Sequence, residues 1–124
     1  MPAEGAQRAL AVNLAAGRIA IGAALWLAPR LALRVLGFDE PGAPTLAVAR
    51  IAATRDLVLG AWQLSSLDEP EQLGKATMSA AVCDVGDTVA FALALRDPDA
   101  RTAGLRGAPL AAGAALAGFW LASR

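Results

Sequence analysis

The chain has 124 residues, of which 56% are hydrophobic and 18% are charged, so it is one domain that is more apolar than an ordinary globular protein. Its eleven basic and eleven acidic residues balance, which excludes the basic face that nucleic-acid binding requires. With no histidine, no tyrosine and one cysteine, it lacks an intrachain disulfide, a Ser-His-Asp triad and any histidine-ligated metal, so proton transfer would fall chiefly to aspartate.

Four long apolar runs predict four transmembrane helices. They cover about residues 9–29, 45–66, 75–95 and 102–123, each close to the roughly 20 residues that cross a bilayer. The first run is too long for the apolar part of a signal peptide, so we expect it to be retained. The fourth run is apolar all round, unlike a surface helix of a soluble bundle, which is the rival fold. Small residues recur there at a spacing that lets membrane helices approach closely: Gly107, Ala111, Ala114, Ala115 and Gly118.

The connections between the runs are short. Between Pro29 and Gly37 leucines alternate with arginine, which predicts a helical turn along the membrane interface. The prolines of residues 41–44 end any helix, and Thr45 is the expected N-cap of the second span. Short connections place sequential helices side by side, so the predicted fold is all-α, a four-transmembrane-helix antiparallel up-down bundle comprising residues 1–124 as a single integral membrane domain.

Arginine distribution predicts the orientation. Most of the arginines outside the spans lie in the connections that follow the first and third spans: Arg30, Arg34, Arg96, Arg101 and Arg106. The positive-inside rule places these connections in the cytoplasm, so both termini are expected outside. We therefore expect a multi-pass protein of the bacterial inner (cell) membrane, in contact with membrane lipid. A homodimer is also expected, because four helices alone enclose little space.

Charged residues interrupt three of the four spans at one depth. The span midpoints fall near Ile19, Asp56 and Val85, and five charged residues lie within about 3 Å of one plane: Arg18, Arg55, Asp56, Asp84 and Asp87. Arg50 lies about 8 Å nearer the first connection, and its long side chain could reach inward. Because charges at the bilayer centre are costly, these groups must form pairs or line water.

Helical geometry orients these charges. Asp56 shares a face with Gly60 and Gln63, and this face is expected to meet Arg18 or the Asp84/Asp87 pair. Arg55 diverges from Asp56 by about 100°, so the second span needs neighbours on several sides, a water-filled cavity or a partner subunit. The predicted ligand-binding set is Arg18, Arg50, Arg55, Asp56, Gln63, Asp84 and Asp87.

Several roles are compatible with this cluster. The charges could be buried ion pairs that fix helix register, as in an accessory membrane subunit. They could bind or conduct a small polar or ionic group, with proton coupling through the aspartates. They could also belong to a small isomerase, cyclase or epoxide-opening enzyme acting on a lipophilic substrate. In that enzyme Asp84, Asp87 or Asp56 would be the candidate catalytic acid, and Arg18 or Arg55 would stabilise negative charge.

The spacing of Asp84 and Asp87 raises the question of a metal site. The segment Asp84-Val-Gly-Asp87 resembles the opening of the CDP-alcohol phosphotransferase signature and, more loosely, the aspartate-rich motif of membrane prenyltransferases. The Asp-Gly and Ala-Arg elements that should follow are missing, as is a later pair of aspartates on the same helix. We therefore predict no metal and no cofactor.

Three segments together resemble one family. Gly17-Arg18-Ile-Ala-Ile-Gly22 with Ala28-Pro29-Arg30, then Arg55-Asp56-Leu-Val-Leu-Gly60, then Asp84-Val-Gly-Asp87, are similar to an uncharacterised domain-of-unknown-function family of small four-helix bacterial membrane proteins. The Arg-Asp-x-x-Leu-Gly element is the most specific part. The resemblance implies the four-helix architecture and carries no assigned activity.

Overall fold

A computed structural model describes residues 2–124, with the side chains of Pro2 and Ala3 outside the description. Across these residues the chain forms five α-helices and no β-strand: α1 (Pro2–Leu27), α2 (Pro29–Leu36), α3 (Ala43–Ser65), α4 (Pro70–Ala94) and α5 (Arg101–Ala122). The all-α prediction is confirmed. The prediction of one domain from residue 1 to residue 124 stays a prediction, and Met1 lies outside the described residues.

Three of the described helices are long and apolar enough to cross a membrane: the Glu4–Leu27 part of α1, α4 and α5. Helix α3 is also long, with 23 residues, but it carries Arg50, Arg55 and Asp56. The structure therefore indicates a membrane protein. A crossing by α3, which would complete the four-span bundle, stays a prediction.

The first connection contains a helix, α2, which is longer than the single helical turn that was predicted. Pro29 begins α2, where its missing N–H costs no helical hydrogen bond, and α2 ends at Gly37. Gly37 has φ of 121°, and a Cβ there would lie 2.8 Å from the Ala103 backbone nitrogen, so only glycine fits. The predicted N-cap Thr45 is wrong, because α3 begins two residues earlier, with Gly42 as its N-cap and Pro44 in its first turn.

The long helices pack as two close pairs, α1 with α3 and α4 with α5. Glycine permits each approach. A Cβ on Gly60 of α3 would lie 3.0 Å from the Ala15 carbonyl oxygen of α1, and a Cβ on Gly104 of α5 would lie 2.6 Å from the Phe91 carbonyl oxygen of α4. The predicted small-residue stripe of α5 is mostly buried, at Gly107, Ala111, Ala115 and Gly118. The two pairs touch each other less extensively.

Small side chains fill the interior, and large apolar side chains face outward. The core consists mostly of alanine, including Ala15, Ala53 and Ala81, which are fully buried. By contrast, Ile51 is 71% exposed and Leu116 is 72% exposed. A soluble bundle buries its large apolar residues, so this distribution fits a protein surrounded by lipid.

Candidate ligand-binding site

Arg18 connects three helices from the inside of the bundle. Its side chain, on α1, is only 9% exposed. Its Nη1 donates to Asp56 Oδ1 of α3 at 3.3 Å, and its Nη2 donates to Asp84 Oδ2 of α4 at 2.6 Å. The face of α3 predicted to meet Arg18 or the Asp84/Asp87 pair therefore meets Arg18.

Arg55 forms the second, more accessible half of the network. Its Nη1 donates to Asp87 Oδ1 at 2.9 Å and its Nη2 to Asp87 Oδ2 at 2.6 Å, which is the bidentate arrangement that makes arginine–carboxylate pairs strong. Nη2 also donates to Asp56 Oδ1 at 3.3 Å, so Asp56 joins the two arginines. The side chains of Arg55 and Asp87 are 34% and 31% exposed, so this pair lies at the edge of the network.

Helical spacing explains why α4 contributes two carboxylates. Residues three apart lie on neighbouring turns of one helix face, so Asp84 and Asp87 point in similar directions. Asp84 is buried and meets Arg18, whereas Asp87 lies nearer the surface and meets Arg55. The five residues at one predicted depth thus form one connected network, named here the Arg/Asp network.

The Arg/Asp network retains unused hydrogen-bonding capacity. Arg18 Nε and Arg55 Nε are buried donors without a partner in the described part of the chain. Within residues 2–124, no hydrogen bond reaches Asp56 Oδ2 or Asp84 Oδ1, because every donor to these carboxylates is bonded to the other oxygen. Buried polar atoms are normally satisfied, so the two unpartnered Nε donors suit a bound polar group or water.

A cavity of about 490 Å³ lies beside the network and is open to the outside of the bundle. All five network residues line it, together with Asn13. The remainder of its wall is mainly apolar, and its larger apolar side chains are Leu14, Ile21, Leu25, Leu33, Leu36, Phe38, Val48, Phe91 and Leu110. A volume of this size is within the range of small-molecule sites.

Two predicted site residues lie away from the cavity. Arg50 places its guanidinium 5.5 Å from the centre of the Trp26 ring and donates from Nε to the Trp26 carbonyl oxygen, so it does not reach inward to the network. Gln63 is 1% exposed and donates from Nε2 to Thr77 Oγ1 at 3.3 Å, and its Oε1 has no partner among the described residues. Gln63 lies seven residues from Asp56, about 10 Å along α3.

Sequence reasoning missed the apolar wall. Leu33 and Leu36 come from α2, which was expected only to lie along the interface. Phe91 offered a signal, because it follows Asp84 by seven residues and therefore shares its face of α4. Nothing in the periodicity of the other helices distinguishes a side chain that lines a cavity from one that packs.

Metal ligation and similarity to other proteins give no further assignment. Within residues 2–124, no three histidine, cysteine or acidic side chains converge in a group that could hold a metal ion. Comparisons with protein-family models, with curated proteins and with solved structures gave no match. The Arg/Asp network and its cavity are therefore the features that indicate the chemistry of the site.

Proposed function

We propose that this chain is a multi-pass membrane protein whose Arg/Asp network binds a small polar or ionic group, with the aspartates available for proton coupling. In this proposal α3 crosses the bilayer with α1, α4 and α5, which brings the network to mid-membrane depth. The resemblance to small four-helix bacterial membrane proteins stays a prediction, and it implies the same architecture.

The observation that carries the proposal is that the network lines a cavity instead of being sealed between helices. Ion pairs that only fixed helix register would be most stable when fully packed and fully satisfied. Here the Arg55–Asp87 pair is about one third exposed, and two buried guanidinium nitrogens lack partners in the described chain. Ionisable groups inside a membrane protein commonly mark a binding site or an ion path.

Residues of one chain line the cavity, which is open on one side. The homodimer stays a prediction.

The test is binding of small polar probes to the purified protein in detergent. Ammonium, guanidinium, acetate and glycerol would each be added at increasing concentration while the unfolding temperature is recorded, because a ligand of the folded state raises it. Ala52 lines the cavity, so Ala52→Phe should fill it, whereas Ala47 on the same helix is exposed and does not line it. Ala47→Phe is the matched control.

We expect at least one of the four probes to stabilise the unmutated protein and Ala47→Phe, and to lose its effect on Ala52→Phe. A protein that responds to none of them, or an Ala52→Phe variant that responds as fully as the control, would contradict binding in the cavity.

A further inference from the structure

The part of the cavity between the Arg/Asp network and α2, called here the apolar end, has an apolar wall, and Asn13 and Leu14 line the cavity on the far side of the network. The ends of α1 and α4 and the beginnings of α3 and α5 meet near α2, as shown by the bond from Arg106 Nη1 to the Val35 carbonyl oxygen. Moving toward α2, Leu25 follows Arg18 by seven residues, Phe91 follows Asp84 by seven, and Val48 precedes Asp56 by eight. Each interval corresponds to about 10–12 Å along a helix.

On each of three helices, the residue nearer α2 is apolar and the residue farther from α2 is charged. All six of these residues line the cavity. From α2 itself, Leu33 and Leu36 contribute further apolar surface to the cavity. A ligand that extends from the network toward α2 therefore suits a polar group at the network and an apolar segment of about 10 Å.

The charge of the polar group follows from the network. Two arginines face three aspartates, which leaves one carboxylate in excess when all are ionised. Asp56 Oδ2 and Asp84 Oδ1 accept nothing within the described chain, and Arg18 Nε and Arg55 Nε donate to nothing there. The excess carboxylate decides between the two kinds of ligand, because a cation would neutralise it whereas an anion would meet an excess of negative charge.

Building on the proposed function, we propose that the cavity binds an amphiphilic amine, with its ammonium group at Asp56 and Asp84 and its apolar chain along Leu25, Val48 and Phe91. The ammonium group supplies the missing positive charge and several donors, and the chain replaces lipid with a protein wall of matching polarity.

The experiment compares three probes with the same eight-carbon chain: octylammonium, octanoate and octanol. Binding is measured from the rise in unfolding temperature of the protein in lipid nanodiscs, with empty discs used to correct for partitioning. Ammonium alone is the fourth probe. Val48→Trp narrows the apolar end, and Ala47→Trp, at the adjacent outward position, is the matched control.

We expect octylammonium to bind the unmutated protein at least about tenfold more tightly than octanoate or octanol, a difference that reports the head group. Val48→Trp should lose about tenfold in affinity for octylammonium while retaining the response to ammonium, and Ala47→Trp should lose neither. Asp87→Asn, at the more exposed edge, should weaken octylammonium binding by reducing the negative charge and serves as a variant that is expected to fold.

The outcomes separate this inference from the proposed function. Equal or tighter binding of octanoate would overturn the cationic head group. An unchanged octylammonium affinity in Val48→Trp would overturn the placement of the apolar chain, and a retained ammonium response would leave the proposed function standing. If neither ammonium nor any eight-carbon probe binds, this inference fails, whereas the proposed function fails only if guanidinium, acetate and glycerol give no response either.

Discussion

Arg18 is the residue on which the network depends, because its guanidinium donates to carboxylates on two other helices. Replacing it with methionine, a side chain of similar length, would leave Asp56 and Asp84 buried without their partner. We expect Arg18→Met to lower the free energy of unfolding by about 3–5 kcal/mol, the range for a buried pair that loses one member. Unfolding in mixed micelles with increasing denaturing detergent measures this.

Arg8 provides the control for Arg18. It forms an ion pair with Asp68 at 2.8 Å, but both side chains are largely exposed, at 54% and 87%. Arg8→Met should therefore change the free energy of unfolding by at most about 1 kcal/mol. Equal losses for the two variants would mean that burial does not distinguish the two pairs.

Asp84 and Asp87 carry the same functional group in different surroundings, since their side chains are 7% and 31% exposed. Asp84→Asn keeps the shape but removes the charge that faces Arg18, and we expect it to cost about 1.5–3 kcal/mol. Asp87→Asn should cost about 1 kcal/mol or less, because water screens that pair. The same unfolding assay compares them, and a larger loss for Asp87→Asn would contradict the assignment of Asp84 as the buried member.

At the residue scale, the depth of the charges was predictable but their pairing was predictable only in part. The rise of about 1.5 Å per residue, counted from the midpoint of each span, places Arg18, Asp56 and Asp84 at one level, which makes the close contacts possible. Arg50 differs because its side chain is long enough to reach either the Arg/Asp network or Trp26. The Trp26 ring and carbonyl oxygen lie within its reach, and only the folded chain shows that they do.

At the element scale, glycines determine how closely the helices approach. Gly104 and Gly113 lie on the same helix, but a Cβ on Gly104 would lie 2.6 Å from the Phe91 carbonyl oxygen, whereas a Cβ on Gly113 would have no neighbour within 4 Å. We expect Gly104→Ala to destabilise the protein by about 1–3 kcal/mol through overpacking. The unfolding temperature in detergent measures this effect.

Gly113→Ala is the matched control for Gly104→Ala, and it should be neutral or stabilising by up to about 1 kcal/mol, because alanine restricts the unfolded chain and favours the helix. Equal destabilisation by both substitutions would contradict the view that Gly104 is needed for the close approach of α4 and α5.

The helices themselves were largely predictable, whereas the shape of the space between them was not. Apolar runs and proline positions indicate where helices lie, and the boundaries differ from the prediction mainly at the starts of α1 and α4. The cavity arises because the pairs α1/α3 and α4/α5 touch each other less extensively than the members of each pair do. Hydrophobic periodicity describes one helix at a time and contains no information about such a gap.

At the scale of the whole molecule, the number of crossings sets the topology. If α3 crosses with α1, α4 and α5, the two termini lie on the same side of the membrane; three crossings would place them on opposite sides. We expect both termini outside, as the arginine distribution predicts. Reporter domains fused separately to each end, each active on one side only, test this, and reporters that respond on opposite sides would contradict four crossings.

Accessibility of the cavity inside the membrane tests the central claim most directly. In a Cys83→Ser background, single cysteines would replace Ala52 on the cavity wall, outward-facing Ala47 and fully buried Ala53, and would be exposed to a charged, water-soluble methanethiosulfonate reagent in native membranes. If the Arg/Asp network lines a polar cavity, the cysteine at position 52 reacts and those at 47 and 53 do not. If position 52 is as unreactive as position 53, the charges are sealed within the bundle and the proposed binding site is contradicted.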